Sequence, residues 1–289
     1  MHLKQGQTNF FPNVSHFTLL LCCMNEIKKY LPAAVLILFT AKSFSQTNTI
    51  PEKVSHAEPL YYDLVRDLGA RKGEKEFNAG IDFSKHRNYN EHAFLVEYEF
   101  APINRIGFEV EADLSFFDRT VAKSEIPGSK LESLRFSSQY SFFVSTRLKT
   151  TLAVGYTQII TFNEFRNISK NSFIKGTVYN PFFVAAKRWS SNVNTLLYTY
   201  PLFKHDFTTN KLEVEWQINS SVIFTIPGTK HFAGVELNKE FDHGKFEMTI
   251  RPQAKFKLDK HTAIGFVAGI PTKKTDESFS SFLRIIYEP

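Results

Sequence analysis

The sequence predicts an all-β fold: a transmembrane β-barrel of about twelve antiparallel strands, preceded by a short N-terminal amphipathic helix. Three observations carry this expectation. Long runs alternate apolar and polar side chains, the connections between them alternate between long and tight, and an export-like leader stands near the start of the chain.

The elements follow in chain order. Residues 1–23 read as an upstream extension with no structural role, because a complete leader begins at Met24. Residues 24–45 read as a signal peptide: Lys28 and Lys29 form its basic start, Leu31 to Phe39 its apolar stretch, and Ser43 and Ser45 the small residues before a cut. That stretch is too short to span a bilayer as a helix. A rival reading makes Cys22 the lipidated residue of a lipoprotein signal, but a second export-like segment would then stand directly behind it. Both cysteines of the chain, Cys22 and Cys23, precede the cut, so the exported part has no thiol for a disulfide, a nucleophile or a metal. Removing residues 1–45 takes away four lysines and Glu26 and lowers the net charge from +6 to +3. So mild an excess, without a basic and aromatic stripe, excludes a nucleic-acid partner.

Residues 46–76 form an expected periplasmic segment. In it Pro59 suits the first turn of a helix, Leu60, Leu64 and Leu68 share one face with Tyr61 and Val65 beside them, and Gly69 is placed to end the element. Such a helix must bury its stripe. It has three places to do so: the periplasmic mouth of the barrel, the barrel interior, or the surface of the inner leaflet; the alternative is a periplasmic linker that orders only weakly.

Residues 77–289 carry the strands. Phe77, Ala79, Ile81 and Phe83 alternate with Asn78, Gly80, Asp82 and Ser84; Phe94, Val96, Tyr98 and Phe100 oppose Glu97 and Glu99; Phe108, Val110 and Ala112 oppose Glu109, Glu111 and Asp113. Later, Phe136, Tyr140 and Phe142 face away from Arg135, Ser137, Gln139 and Arg147, and Trp216 and Val222 face away from Glu213, Glu215 and Gln217. Successive strand side chains point to opposite faces, so each run has an oily side and a charged side. Less regular strands complete the set near 180–189, 193–203, 231–241, 261–270 and 279–287. With 30 Phe and 11 Tyr the composition favours strands and membrane interfaces. A slightly negative mean hydropathy is no obstacle, because barrel strands give half their residues to a polar interior.

The connections decide between architectures. Longer polar stretches at 84–92, 118–133, 163–177, 204–210 and 271–278 alternate with tight ones at 101–105, 148–151, 190–193, 227–231 and 258–261, and only 241–245 is shorter than its place suggests. Long loops at one end of an even strand set and short turns at the other are the pattern of an outer-membrane barrel. A soluble exported sandwich or lipocalin-like barrel would alternate as well, but with its oily faces meeting in a core.

The run from His56 to Gly80, with Leu95 to Glu111, resembles a family of exported outer-membrane β-barrel proteins from Bacteroidetes-type bacteria that open with the same "HAEPLY…DL…RDLGARKGEKE" stretch. Some members carry the name phosphoribosylformylglycinamidine synthase. The residues here oppose that chemistry, since its glutaminase half needs a cysteine nucleophile.

The charged faces supply the candidate lumen-lining residues: Glu97, Glu99, Glu109, Glu111, Asp113, Arg135, Arg147, Glu213, Glu215, Arg251 and Lys255. Glutamates facing arginines across a narrow lumen either line a small channel or neutralise one another and fill it. An outer-membrane lipid-modifying enzyme with a Ser and His pair is the alternative, but no G-x-S-x-G, H-E-x-x-H or paired-His spacing selects any residue. The expected function is that of a narrow pore or solute transporter, with outer-membrane lipids and small solutes as partners and neither cofactor nor metal.

Overall fold

The computed structural model describes residues 51–289 apart from Asp63, 123–124, 168–171 and 274–276; the extension and leader expected at 1–45 lie outside the described residues. The described chain forms twelve strands: β1 Lys75–His86, β2 Tyr89–Ile103, β3 Ile106–Arg119, β4 Lys130–Ser145, β5 Thr150–Phe162, β6 Ile174–Arg188, β7 Val193–Asp206, β8 Lys211–Thr225, β9 Phe232–Asp242, β10 Lys245–Lys257, β11 Thr262–Pro271 and β12 Glu277–Tyr287. Each pairs antiparallel with its sequence neighbours, and β1 pairs with β12, so the sheet closes into a barrel. The seam runs from Phe77 opposite Tyr287 to His86 opposite Glu277. Closure leaves no row of unpaired backbone groups, which is what a hydrocarbon surrounding demands.

Alternation sets what faces where. Along β8, Trp216, Val222 and Phe224 lie exposed on the outer surface while Glu215, Gln217, Asn219, Ser221 and Ile223 are buried inside. The strands are 10 to 16 residues long, at or beyond the roughly 9–11 that a tilted strand needs to cross a bilayer.

The connections differ from the expected alternation. The stretch 84–92 is no loop: β1 and β2 run on through it and turn at residues 87–88 alone. Above the headgroup level the ladder of backbone bonds does not depend on apolar side chains, so Lys85, His86, Asn90 and Glu91 stay in paired strands. The short 241–245 link has its reason in the backbone: His243 and Gly244 both take positive φ (45° and 77°), the geometry of a two-residue hairpin turn. The two long connections, 120–129 and 163–173, hold each other. Gly128 N–H donates to Glu164 Oε1 at 2.8 Å, Phe165 N–H donates to the Ser129 carbonyl at 3.0 Å, and a single 3-10 turn sits at Phe165–Asn167.

The helix expected from Pro59 to Leu68 is corrected. The described residues of that segment follow bends and turns. Several of their backbone groups pair with side chains of the barrel interior: Leu60 N–H donates to Gln253 Oε1 at 2.7 Å, Tyr62 N–H to Glu236 Oε1 at 3.3 Å and Gly69 N–H to Ser141 Oγ at 2.8 Å, while Gln139 Nε2 donates to the Arg66 carbonyl at 2.6 Å. A helix this short gains little from its own bonds because nucleation is costly. Polar wall groups that bond the backbone directly remove that gain.

Candidate functional site in the barrel interior

The interior is occupied by the protein's own chain. Residues 51–74 enter at the end of the short turns, where His56 Nε2 and Thr151 Oγ1 stand 3.0 Å apart, and climb to a tip at Tyr61 and Tyr62, where Tyr62 Oη donates to Gln217 Oε1 at 2.7 Å. They then descend past Ser141 to the β2–β3 turn, where Arg105 N–H donates to the Ala70 carbonyl at 2.6 Å, and join β1 after Gly73.

Two packings seat this loop. Leu64, Val65 and Leu68 bury against inward-facing Phe182, Val184, Leu196 and Tyr198, and Leu60 buries against Ile223, Phe232, Val267, Phe282 and Ile286. The predicted stripe is thus buried, inside the barrel rather than at its mouth or on a leaflet. On the remaining wall the contact is ionic. Arg66 Nη1 lies 2.8 Å from Glu76 and 3.2 Å from Glu99, with all three groups nearly inaccessible. Lys53 Nζ spans Asp67 at 2.7 Å and Glu74 at 2.8 Å, which ties the ascending limb to the root. Burial alone would raise the Asp67 carboxyl, but the cations Arg66 and Lys53 hold it well below the usual carboxylate range. Burial and the nearby Arg188 guanidinium push the His56 imidazole down to about 4.

Most of the predicted lining residues point inward, in one connected acidic network on β2 to β4. Glu97 accepts from Asn78 Nδ2 at 2.7 Å and from Arg284 Nη2 at 2.8 Å; Glu99 joins Arg66; Glu109 accepts from Ser137 Oγ at 2.9 Å. Arg135 Nε lies 3.3 Å from Glu111 and 3.2 Å from Asp113. One carboxylate oxygen each from Glu97, Glu109 and Glu111 falls within 4.8 Å of the others, the arrangement that could hold a cation, though the wall already supplies these groups with donors. On the opposite wall Glu215 pairs with Lys204, Arg251 donates to Asn238 Oδ1 at 2.7 Å and to Ser280 Oγ at 3.0 Å and stacks on the Tyr61 ring, and half-buried Lys255 lies over the Phe232 ring.

Two candidates leave this set. Arg147 is exposed in the β4–β5 turn at 146–149: a register shift between Tyr140 and Phe143 breaks the alternation that placed it inside, and β4 ends at Ser145. Glu213 keeps the inward parity of Glu215 but stands exposed near the loop end of β8, above the packed interior.

Other residues went unpredicted. Arg66 and Arg284 neutralise the glutamates from the loop and from β12, and both are buried. For Arg284 a signal existed: it is the one charge between Phe279 and Tyr287, at the inward parity of Ser280 and Phe282. For Arg66 none did, since its role depends on the loop lying inside.

Among the described residues a cavity of about 380 Å³ opens at the short-turn end between Lys53 and Arg188, and two others lie toward the long-loop end, both reaching Tyr61 and Tyr62. One, about 410 Å³, is bounded by seven carboxylates, among them Asp82, Glu91, Asp113 and Glu132, against the guanidiniums of Arg135 and Arg284. The other, about 250 Å³, mixes Lys239, Arg251 and Lys273 with Glu240 and Glu247.

The HAEPLYID-like family model matches residues 52–288. The chain belongs to the HAEPLYID-like family. The run His56 to Asp63, which reads HAEPLYYD, differs from the family's lettering at Tyr62 alone, and its described residues, His56 to Tyr62, form the climbing limb and tip of the luminal loop. Among solved structures the chain is similar to an outer membrane channel from Pseudomonas putida F1 (12% identity, TM-score 0.59, covering 81% of this chain and 100% of that one) and to the KdgM porin (12% identity, TM-score 0.51, covering 73% and 98%). It is also similar to the NanC porin (10% identity, TM-score 0.50, covering 74% and 99%). At such identities the likeness is one of fold. No curated relative matches the chain.

Proposed function

We propose that this HAEPLYID-like protein is an outer-membrane barrel, exported by the leader at 24–45, that passes small polar solutes through its interior. The observation that carries the reading is the division of one closed sheet into an apolar outside, with Val96, Trp216, Val222 and Phe266 exposed, and an inside of carboxylates, amides and guanidiniums. Such a surface is insoluble as a monomer in water and complementary to acyl chains. Within the interior the excess of carboxylates at the loop-end cavity favours cationic or neutral hydroxylated solutes and disfavours anions. The KdgM porin is also known in complex with oligogalacturonate, a polyanion; the charge of the present interior suits the opposite class.

Purified protein in a planar bilayer should conduct, with cations carrying more of the current than anions. Glu111→Lys together with Asp113→Lys should reduce or reverse that preference. Silence at every voltage, in the unaltered chain and in one relieved of residues 51–73, removes the pore reading.

A further inference from the structure

We propose that residues 51–74 are a releasable gate rather than a permanent filling, an inference that rests on the pore reading above. The barrel does not need them for closure. Every strand, including the β1–β12 seam, is paired with another strand, and no described residue of the loop enters a ladder. Among the described residues the loop's backbone is bonded to side chains such as Gln253, Glu236 and Ser141, and its backbone bonds to the wall gather at its root, around Ala70, Gly73 and Glu74. Its departure therefore breaks no strand pairing.

The wall is shaped for this occupant. Gly107 on β3 and Gly265 on β11 face inward, and each makes room for one loop side chain: a Cβ added at Gly107 would overlap the Arg66 Cβ, and one at Gly265 would come within 2.6 Å of Leu60 Cδ2. A glycine weakens a strand interior, so these two stand where close approach matters more than strand strength. The root is a pivot: Gly73, at φ +92° with open space around it, stands two residues before Lys75, where β1 begins. At the tip, Tyr61 and Tyr62 border both cavities at the long-loop end, so the loop's highest point is also the floor of the path from that end.

The test displaces the loop without touching its charges. Gly107→Leu and Gly265→Leu, on separate walls, each wedge one limb. Ser141→Cys, at the wall position that binds Gly69 N–H, reports exposure of the seat to a water-soluble maleimide. No cysteine follows Cys23, so the introduced thiol is the only one after the leader. Each wedge should raise bilayer conductance about tenfold or more, as overpacking of a seated element shifts its equilibrium. Each should also turn the Ser141→Cys thiol from shielded to labelled, with heat-modifiable gel mobility showing an intact barrel. With Ser141 retained, bridging His56→Cys to Thr151→Cys with a short bis-maleimide, each thiolate adding across one maleimide double bond, should return a wedged protein to the low conductance. This bridge also serves in the unaltered background should neither wedge fold, where it should abolish residual openings. Wedged and unaltered proteins that conduct alike overturn the gate and leave the pore standing. A labelled Ser141→Cys thiol without any current sinks the pore reading, and the gate with it.

Discussion

The two ends of the same interior are built on opposite terms. At the short-turn end the inward positions of β5 to β8, β11 and β12 are largely apolar, with Val184, Leu196, Ile223 and Val267 among them, and they are covered by the chain's own leucines. At the long-loop end the inward positions are charged, and cavities persist between them. A water-filled conduit has no use for a ring of buried aliphatic side chains, whereas a docking seat does. Inward oiliness thus marks where the protein rests against itself on one wall, while on β1 and β2 the same loop rests on ion pairs, and the charges left beside the cavities are those the proposed pore would use.

The comparison can be broken most forcefully at its ionic point. Arg66→Ala removes the cation that Glu76 and Glu99 share, which should cost about 3–5 kcal/mol of loop seating. Maleimide labelling of the Ser141→Cys reporter should rise sharply while the barrel stays resistant to unfolding. Leu64, 1% exposed, tests the oily half: Leu64→Ala should cost about 2–5 kcal/mol, read as faster hydrogen exchange in residues 51–74 with the strands unchanged. A comparable loss of protection in β5 to β7 would mean that the loop and wall are one cooperative unit.

A substitution on the outside sharpens the contrast from the other direction. Val96, at the middle of β2 and 62% exposed, should tolerate no charge in a bilayer. Val96→Arg should cost about 2–4 kcal/mol of folding stability in lipid, measured by denaturant titration in vesicles, and leave the luminal loop in place. An unchanged midpoint would argue that this surface does not meet lipid.

The smallest expected effect is on pH. His56 is held neutral, its pKa pushed below the ordinary value of 6.5 to about 4 by burial and by Arg188, with Asp67 partly offsetting. A free imidazole takes up its proton below about 6.5 while the seated one resists until about 4, so the released loop binds more protons in that window. Seating should therefore be complete above 6.5 and weaken steadily as pH falls toward 4. Labelling of the same reporter thiol across that range should show the trend, and His56→Gln should flatten it.

Alternation made the strands legible. Trp216 and Val222 outside with Glu215 and Gln217 inside is a period-two pattern that lipid and lumen write into every strand, and the twelve strands follow from it. The same regularity misled where it is interrupted, at the irregularity before Phe143 that put Arg147 in a turn, and where strands outrun the apolar zone, as at Lys85 to Glu91. The leucine stripe at 60, 64 and 68 showed that the segment must bury one face, but its conformation was not legible. Spacing records which residues are buried, whereas Gln253, Glu236 and Ser141, which replace the helix's internal bonds, are brought there only by closure.

The order of synthesis gives the seam a partner. The luminal loop emerges ahead of β1, and the last strand to emerge carries Arg284, which sits 3.4 Å from the Leu60 carbonyl across 224 residues of chain and 2.8 Å from Glu97 across 187. Sealing a cylinder between two remote edges is the slowest kind of encounter, because a long stretch of polypeptide must surrender its freedom before any reward arrives. An occupant that offers an oily flank to Phe282 and a carbonyl to Arg284 gives the last strand partners beyond its ladder: the stopper of the finished vessel also braces its final stave.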